Sequence, residues 1–248
     1  MMHSKTPLVI AIDGPAGAGK STVARGLAAA LGLRFLDTGA MYRAVTLLAH
    51  EASIPDSDGA ALMLLARDVK LDFDQEGRIQ VAGRSLEPAV RSSDVTSSVS
   101  EVSAHAGVRE AVVARQQEFG REWEGLVAEG RDTTTVVFPD ARFLFYLDAS
   151  AAERARRRAA ELGIPDEATR IQREIEARDA YDSGREHSPL HLGEGVTLVG
   201  TDGLGPDDVM AKLLDIVRKS VSEASAQPKS VSESPTDARS TEGAQGRD

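Results

Sequence analysis

The 248-residue chain contains no cysteine and no asparagine. Without cysteine there are neither disulfides nor thiolate metal sites. Without asparagine, the Asn-Lys-x-Asp guanine reader of regulatory GTPases cannot be built. The eukaryotic-type protein kinase is excluded on the same ground, because its catalytic loop needs an Asn for metal. Positive charge is in deficit too: 29 Lys and Arg face 39 Asp and Glu, a formal net charge of −10. That argues against a general nucleic-acid grip, which usually needs a basic face, although local basic patches can still serve phosphates. No apolar run approaches a membrane span, and no charged-then-apolar signal segment opens the chain. A cytoplasmic enzyme with no membrane partner is therefore the expectation. Length, with 41% hydrophobic and 27% charged residues, fits a soluble α/β domain carrying an insert or a tail.

What is present is more specific. Gly14-Pro15-Ala16-Gly17-Ala18-Gly19-Lys20-Ser21 is a complete phosphate-binding loop. The apolar run Leu8–Ile12 before it reads as a buried parallel strand, and Ser21 onward, through Thr22, reads as a helix. Glycines let backbone amides converge on a nucleotide phosphate, and the helix N-terminus adds partial positive charge. Lys20 would reach the β- and γ-phosphates, and the Ser21 hydroxyl would occupy one Mg²⁺ position. A nucleoside triphosphate is the implied ligand. The missing GTPase and protein-kinase devices leave small-molecule kinases, ATPases and motor-like modules.

Val23, Leu27, Ala30 and Leu31 give the first helix an apolar stripe, with Gly32 as its stop. Phe35-Leu36 is short and apolar, and Asp37-Thr38 caps a helix through about His50. A weaker helix spans 59–68. From Lys70 to Pro88, Leu71-Asp72-Phe73 and Arg78–Ala82 flank the turn Gln75-Glu76-Gly77, which predicts an inserted antiparallel hairpin. Helices follow at 108–123, 151–162, 165–181 and 206–217, and buried strands at 126–128, 143–147 and 196–199. Alternation of this kind implies a parallel sheet with helices on both faces. Beyond Ser220 almost no large apolar side chains remain, so 221–248 is expected to be a disordered tail.

Four clusters outside the loop carry chemistry. Thr38, Tyr42 and Arg43 start one helix, where an anion would meet amides and a guanidinium together; a plain Thr cap and a solvated Arg is the bland account. Glu129-Gly130-Arg131-Asp132 follows a strand at the carboxyl edge, where open α/β sheets bind ligands. There Arg131 can fork onto a phosphate and Asp132 can accept from an exocyclic amine, or the two can make a strand-end salt bridge. Arg154, Arg157 and Arg158 share one side of a helix. Arg178, Asp182 and Arg185 do likewise; they point to an anion between the arginines, or Asp182 neutralises both. Together with the loop, these donors suit phosphoryl transfer between two phosphorylated ligands.

Asp13 through Ser21, Leu36 through Arg43, Glu129 through Asp132 with Thr135–Ala141, and Arg178-Asp179 through Asp182, Arg185 and Ser188-Pro189-Leu190 resemble, in order, the motifs of bacterial cytidylate (CMP) kinase. The likeness spans about residues 7–220. It implies a P-loop nucleoside monophosphate kinase fold with an acceptor-binding insert near 65–100 and a short lid near 151–167. It also implies transfer of phosphate from ATP, with Mg²⁺, to CMP or dCMP. Carried over by position, Thr38, Arg43, Arg131, Arg178 and Arg185 correspond to acceptor ribose or phosphate contacts. Ser100, Arg109 and Asp132 correspond to cytosine contacts, and Asp182 to a sugar-contacting carboxylate. Arg154, Arg157 and Arg158 fall in the lid, and act with Lys20 and Arg131 on the transferring group.

An ionised Asp132 pairs with the cytosine amine but faces an oxygen in uracil, a clash of about 1–3 kcal/mol or more. UMP is expected to be a poor acceptor. One departure concerns Thr133 and Thr134, which stand where the family usually has an aliphatic residue and Gly. A Cβ at 134 is expected to lie beside the substrate floor. Nothing in the pattern marks an oligomer interface, so a monomer is expected. Rival readings are a related kinase for UMP, AMP or shikimate, and a switch module that hydrolyses ATP slowly.

Overall fold

Residues 7–226 are described by the structure, a computed structural model. Along the chain run β1 (Leu8–Asp13), α1 (Lys20–Leu31), β2 (Arg34–Asp37), α2 (Thr38–Glu51), α3 (Gly59–Asp68), β3 (Leu71–Phe73), β4 (Ile79–Val81) and β5 (Arg84–Ser85). There follow α4 (Ser93–Val102), α5 (Ala106–Glu122), β6 (Gly125–Glu129), β7 (Phe143–Asp148), α6 (Ala151–Leu162), α7 (Ala168–Ser183), β8 (Thr197–Gly200) and α8 (Pro206–Ala226).

Five strands form one sheet in the order β2-β6-β1-β7-β8, and each pairing is parallel. Its strands are apolar on both faces because helices cover both. On one side Phe35, Ile10, Ile12 and Val127 pack with Val23 and Leu27 of α1 and with Val209, Leu213 and Val217 of α8. On the other, Leu36, Leu126 and Ala128 pack with Met41 and Val45 of α2, Leu62 of α3, and Val112 and Phe119 of α5. In α1 the buried stripe runs Val23, Ala24, Leu27 and Ala28, with Ala30 exposed. Ala24 and Ala28 face the sheet with Val23 and Leu27, and Ala30 lies outside that side of the helix.

β1 lies mid-sheet, so the loop it feeds sits where the strand order switches direction. Gly14 opens that loop with φ 146°, and a Cβ there would come 2.1 Å from the Leu147 carbonyl oxygen. Only glycine fits. Asp13, Asp37, Glu129 and Asp148 end β1, β2, β6 and β7 along the same carboxyl edge.

The inserted hairpin is a three-stranded antiparallel sheet, β3-β4-β5. The extra strand follows a two-residue turn, Ala82-Gly83, in which both φ are positive (49° and 78°). Arg25 donates to the Glu76 carbonyl (2.8 Å) and Arg34 to that of Phe73 (2.9 Å), docking the insert on the core. The Ser-rich stretch 93–102 is helical, with Val95, Val99 and Val102 buried. The expected helix from Pro165 is divided, a 3-10 turn at Pro165–Glu167 leading into α7. α6 and α7 share a small core of Ala155, Ala159, Ile171 and Ile175. α8 continues to Ala226, past the expected tail start at 221, with Arg142 donating to the Ser220 carbonyl (3.0 Å). The rest of that tail, 227–248, lies outside the described residues. Among the described residues no helix is long and apolar enough to cross a membrane.

Candidate active site

At the N-terminus of α1 the cap is Gly19, with no side chain bonded to the first-turn amides. Uncapped amides and the helix dipole make an anion seat there. Lys20 is buried and donates to the Pro15 carbonyl (2.9 Å), so it lies folded onto its own loop. Burial, with Arg131 beside it, pulls its ammonium down to about 7, against the pull of Glu129 and Asp13. Ser21 donates to Glu129 Oε1 (2.7 Å). Burial and the neighbouring Asp37 push the Glu129 carboxyl up. A hydroxyl and a carboxylate held this close are hard oxygen donors of the kind Mg²⁺ takes. Thr22 is exposed in the first turn of α1.

The residues expected on the acceptor side come from helices α2, α4, α5 and α7, from the turn that follows β6 and, with Arg185, from just beyond α7. Asp182, on α7, is fully buried and binds Arg131 Nε (3.0 Å) and Arg185 (2.5 Å), with Arg178 Nε 4.0 Å away. Arg131 also donates to the Gly14 carbonyl (2.9 Å), which places it against the phosphate loop. Burial and the facing Arg131 pull Arg178 down to about 10, and burial lowers Arg185 and Arg43. The Nε groups of Arg178 and Arg185 are buried without a hydrogen-bond partner among the described residues. Crowded guanidiniums with spare donors call for an anion, which would relieve both their repulsion and their unmet bonds.

Arg109, on α5, is ion-paired to Asp132 Oδ2, and both side chains are buried. Arg109 also donates to the Ser103 carbonyl (3.1 Å) and lies over the Tyr42 ring at 5.1 Å. Burial raises the Tyr42 phenol. Thr38 donates to the Glu129 carbonyl (2.7 Å), tying α2 to the end of β6, and Arg43 donates to Thr96 of α4 (3.0 Å). Ser100 lies on α4, and its carbonyl accepts from Ser103, whose hydroxyl also meets Arg185 (3.3 Å). The helix that the Ser-rich pattern does not predict thus lies against Arg43 and, through Ser103 at its end, Arg185.

The three α6 arginines separate. Arg154 is buried, pairs with Asp179 (2.6 Å) and donates to the Ala16 carbonyl of the loop (3.0 Å). Arg157 binds Glu153 (2.8 Å) and the Thr201 carbonyl (2.5 Å). Arg158 is exposed and paired with Glu161 (3.0 Å), so the structure does not bring it to the loop. Four further residues stand at this edge to which the sequence pattern assigns no ligand role of their own. Asp13, Asp37 and Glu129 carry one available signal, their position at the ends of consecutive parallel strands. Arg91, bonded to Asp37 Oδ2 (3.2 Å), has no pattern around it that would mark it.

Thr133 and Thr134 both turn toward Asp13. Both are buried, and their hydroxyls meet its carboxylate at 2.5 and 2.6 Å. The Thr134 hydroxyl is therefore part of a clamp on β1.

Fold and site together define a P-loop α/β protein of the nucleoside monophosphate kinase type. The family model described as Cytidylate kinase matches residues 10–219, and the chain belongs to that family. Relatives include the bifunctional pantoate ligase/cytidylate kinase of Prochlorococcus marinus strain MIT 9303. It is 47% identical over 231 residues, covering 90% of this chain and 47% of that protein. The protein of the same description from Synechococcus sp. strain CC9902 is 45% identical, covering 90% and 47%. The chain spans about half the length of the curated relatives it matches. Among solved structures, shikimate kinase from Acinetobacter baumannii in complex with shikimate aligns over 87% of this chain and 95% of that one, at 16% identity and a TM-score of 0.43.

Proposed function

We propose that the chain transfers the γ-phosphoryl group of ATP to CMP or dCMP, giving ADP and CDP or dCDP. The observation that carries this reading is the buried Arg109–Asp132 pair, which follows directly on Arg131, itself bonded to the phosphate loop. A reader for an aminopyrimidine and a grip for its phosphate thus stand beside the donor seat. Lys20 leaves the Pro15 carbonyl to meet the β- and γ-phosphates. Arg131, Arg178 and Arg185 hold the acceptor phosphate, and Arg43 and Thr38 border it. Ser21, with Glu129 behind it, would hold Mg²⁺, which neutralises donor phosphate charge when bound.

The acceptor phosphate is already an anionic nucleophile, so the reaction needs no general base. One of its oxygens attacks the γ-phosphorus in line as the bond to the β-phosphate oxygen breaks. Catalysis is then positioning and charge neutralisation. The α6–α7 pair, which has its own small core, serves as the lid that carries Arg154 and Arg157 over the transferring group, and the β3–β5 insert belongs to the acceptor side.

The test follows ³¹P resonances of the purified chain with ATP, Mg²⁺ and CMP. ADP and CDP should appear in equal amounts. ADP formed without CDP would overturn the reading and favour a slow ATPase.

A further inference from the structure

Asp13 carries more hydrogen bonds than any role in strand β1 requires. It is fully buried, and each carboxylate oxygen takes one amide and one hydroxyl. Oδ1 accepts from Thr133 N (2.8 Å) and Thr133 Oγ1 (2.5 Å); Oδ2 accepts from Thr134 N (2.7 Å) and Thr134 Oγ1 (2.6 Å). Burial pushes the carboxyl up, and these four donors pull it down. The residues on either side of the contact are the working ones. Gly14 follows Asp13 and opens the phosphate loop, while Arg131 and Asp132 precede Thr133. A second bridge, Arg131 to the Gly14 carbonyl, runs beside the first. The turn Thr133–Val137 is closed onto Asp132 by the amides of Val136 (2.9 Å) and Val137 (3.2 Å). Gly130 leaves room for the arrangement: a Cβ there would come 2.7 Å from Thr133 Oγ1 and 2.3 Å from Thr38 Oγ1.

We infer that Thr133 and Thr134 are positioning residues whose hydroxyls, by gripping Asp13, lock the acceptor-reading segment to the strand end from which the phosphate loop departs. The inference rests on the proposed function and deepens it by naming what sets the separation of the two sites. Threonine suits the task because its branched Cβ holds χ1 stiffly, so the hydroxyl transmits position rather than merely satisfying a charge. With the clamp released, Arg131 and Asp132 keep their chemistry but lose their fixed distance from the donor. Phosphoryl transfer is sensitive to such displacement, since ~1 Å of misplacement can cost about a hundredfold.

The experiment compares Thr134→Val, which keeps the shape and loses the hydroxyl, with Thr134→Ser, which keeps the hydroxyl, in the full chain. Thr134→Val should lower kcat/KM for CMP about tenfold, through both kcat and the CMP KM, with the ATP KM changing less than about twofold. Thr134→Ser should restore most of the loss. Thermal unfolding confirms that both variants are folded at the assay temperature. Unchanged kinetics in a Thr134→Val protein of lowered Tm would overturn the inference, as would equal impairment of the Val and Ser variants. Should Thr134→Val fail to fold, Thr133→Val against Thr133→Ser makes the same comparison with both Thr134 bonds intact. A wild-type chain inert toward CMP defeats the proposed function; an active wild type indistinguishable from Thr134→Val defeats the clamp alone.

Discussion

Replacing Asp132 with Asn changes one atom's charge and almost none of its volume, yet it attacks both halves of the Arg109–Asp132 pair. Side-chain exposures are 5% for Arg109 and 4% for Asp132, so the guanidinium left behind has little water to turn to. Breaking a buried pair by removing one partner costs about 3–5 kcal/mol; Asn keeps a carbonyl acceptor, which places the expected loss near 3 kcal/mol. For a domain of this size that is a fall in Tm of about 6–12 °C. The specificity change has the opposite cause. With Oδ2 paired to Arg109, Asp132 would present only its other carboxyl oxygen, an acceptor, to the base, whereas Asn could turn an amide donor to the oxygen of uracil. Removing a clash of about 1–3 kcal/mol should cut the CMP-over-UMP ratio of kcat/KM about 5- to 150-fold. The assay couples ADP release to NADH oxidation with each acceptor in turn, beside a thermal melt. A lowered Tm with an unchanged CMP-over-UMP ratio would refute the base-reading role and leave the pair purely structural.

Other perturbations probe the donor and phosphate sites. The empty-state ammonium of Lys20 lies near 7, so ATP binding at pH 8 should take up part of a proton. Calorimetry in buffers of different ionisation enthalpy would read this as a buffer-dependent heat, absent in Lys20→Met. The same depression means the charged lysine costs stability below about pH 7, and that cost fades as pH rises toward the ordinary value of 10.5. Lys20→Met should therefore raise the Tm of the empty protein at pH 6.5 and lose that advantage by pH 10. Arg131→Ala removes one partner of buried Asp182 and the bond to the Gly14 carbonyl; the CMP KM should rise at least about tenfold with kcat falling as well, read from initial rates. Gly14→Ala meets the Leu147 carbonyl oxygen at 2.1 Å and should abolish ATP binding or folding, checked by calorimetry and circular dichroism.

What was legible followed from how local the physics is. The loop could be read because phosphate binding demands glycines, a lysine and a hydroxyl at fixed spacing between a strand and a helix. α6 fell at its expected bounds, 151–162, because Ser150 caps it and Gly163 ends it in the left-handed region. α4 escaped because serines dominate its composition, although Ser92 as cap and valines at 95, 99 and 102 carried the period. Helical spacing and the family resemblance both group Arg157 and Arg158 with Arg154. Spacing gives a shared side but not the partners, and Thr201, Glu161 and Asp179 divide them. The Asp13–Thr133 contact joins residues 120 apart, so no periodicity could announce it. In the sequence the threonines stand out only as a departure from a pattern, and their direction comes from the fold.

The proposed function requires one pocket that would seat two phosphates end to end while Asp132 chooses the base of the second. A crystal of the chain grown with CMP tests this most directly. The cytosine amine should lie within hydrogen-bond distance of the Asp132 carboxylate, with its 5′-phosphate among Arg131, Arg178 and Arg185. A base lying elsewhere, or a phosphate seated away from those arginines, would contradict it.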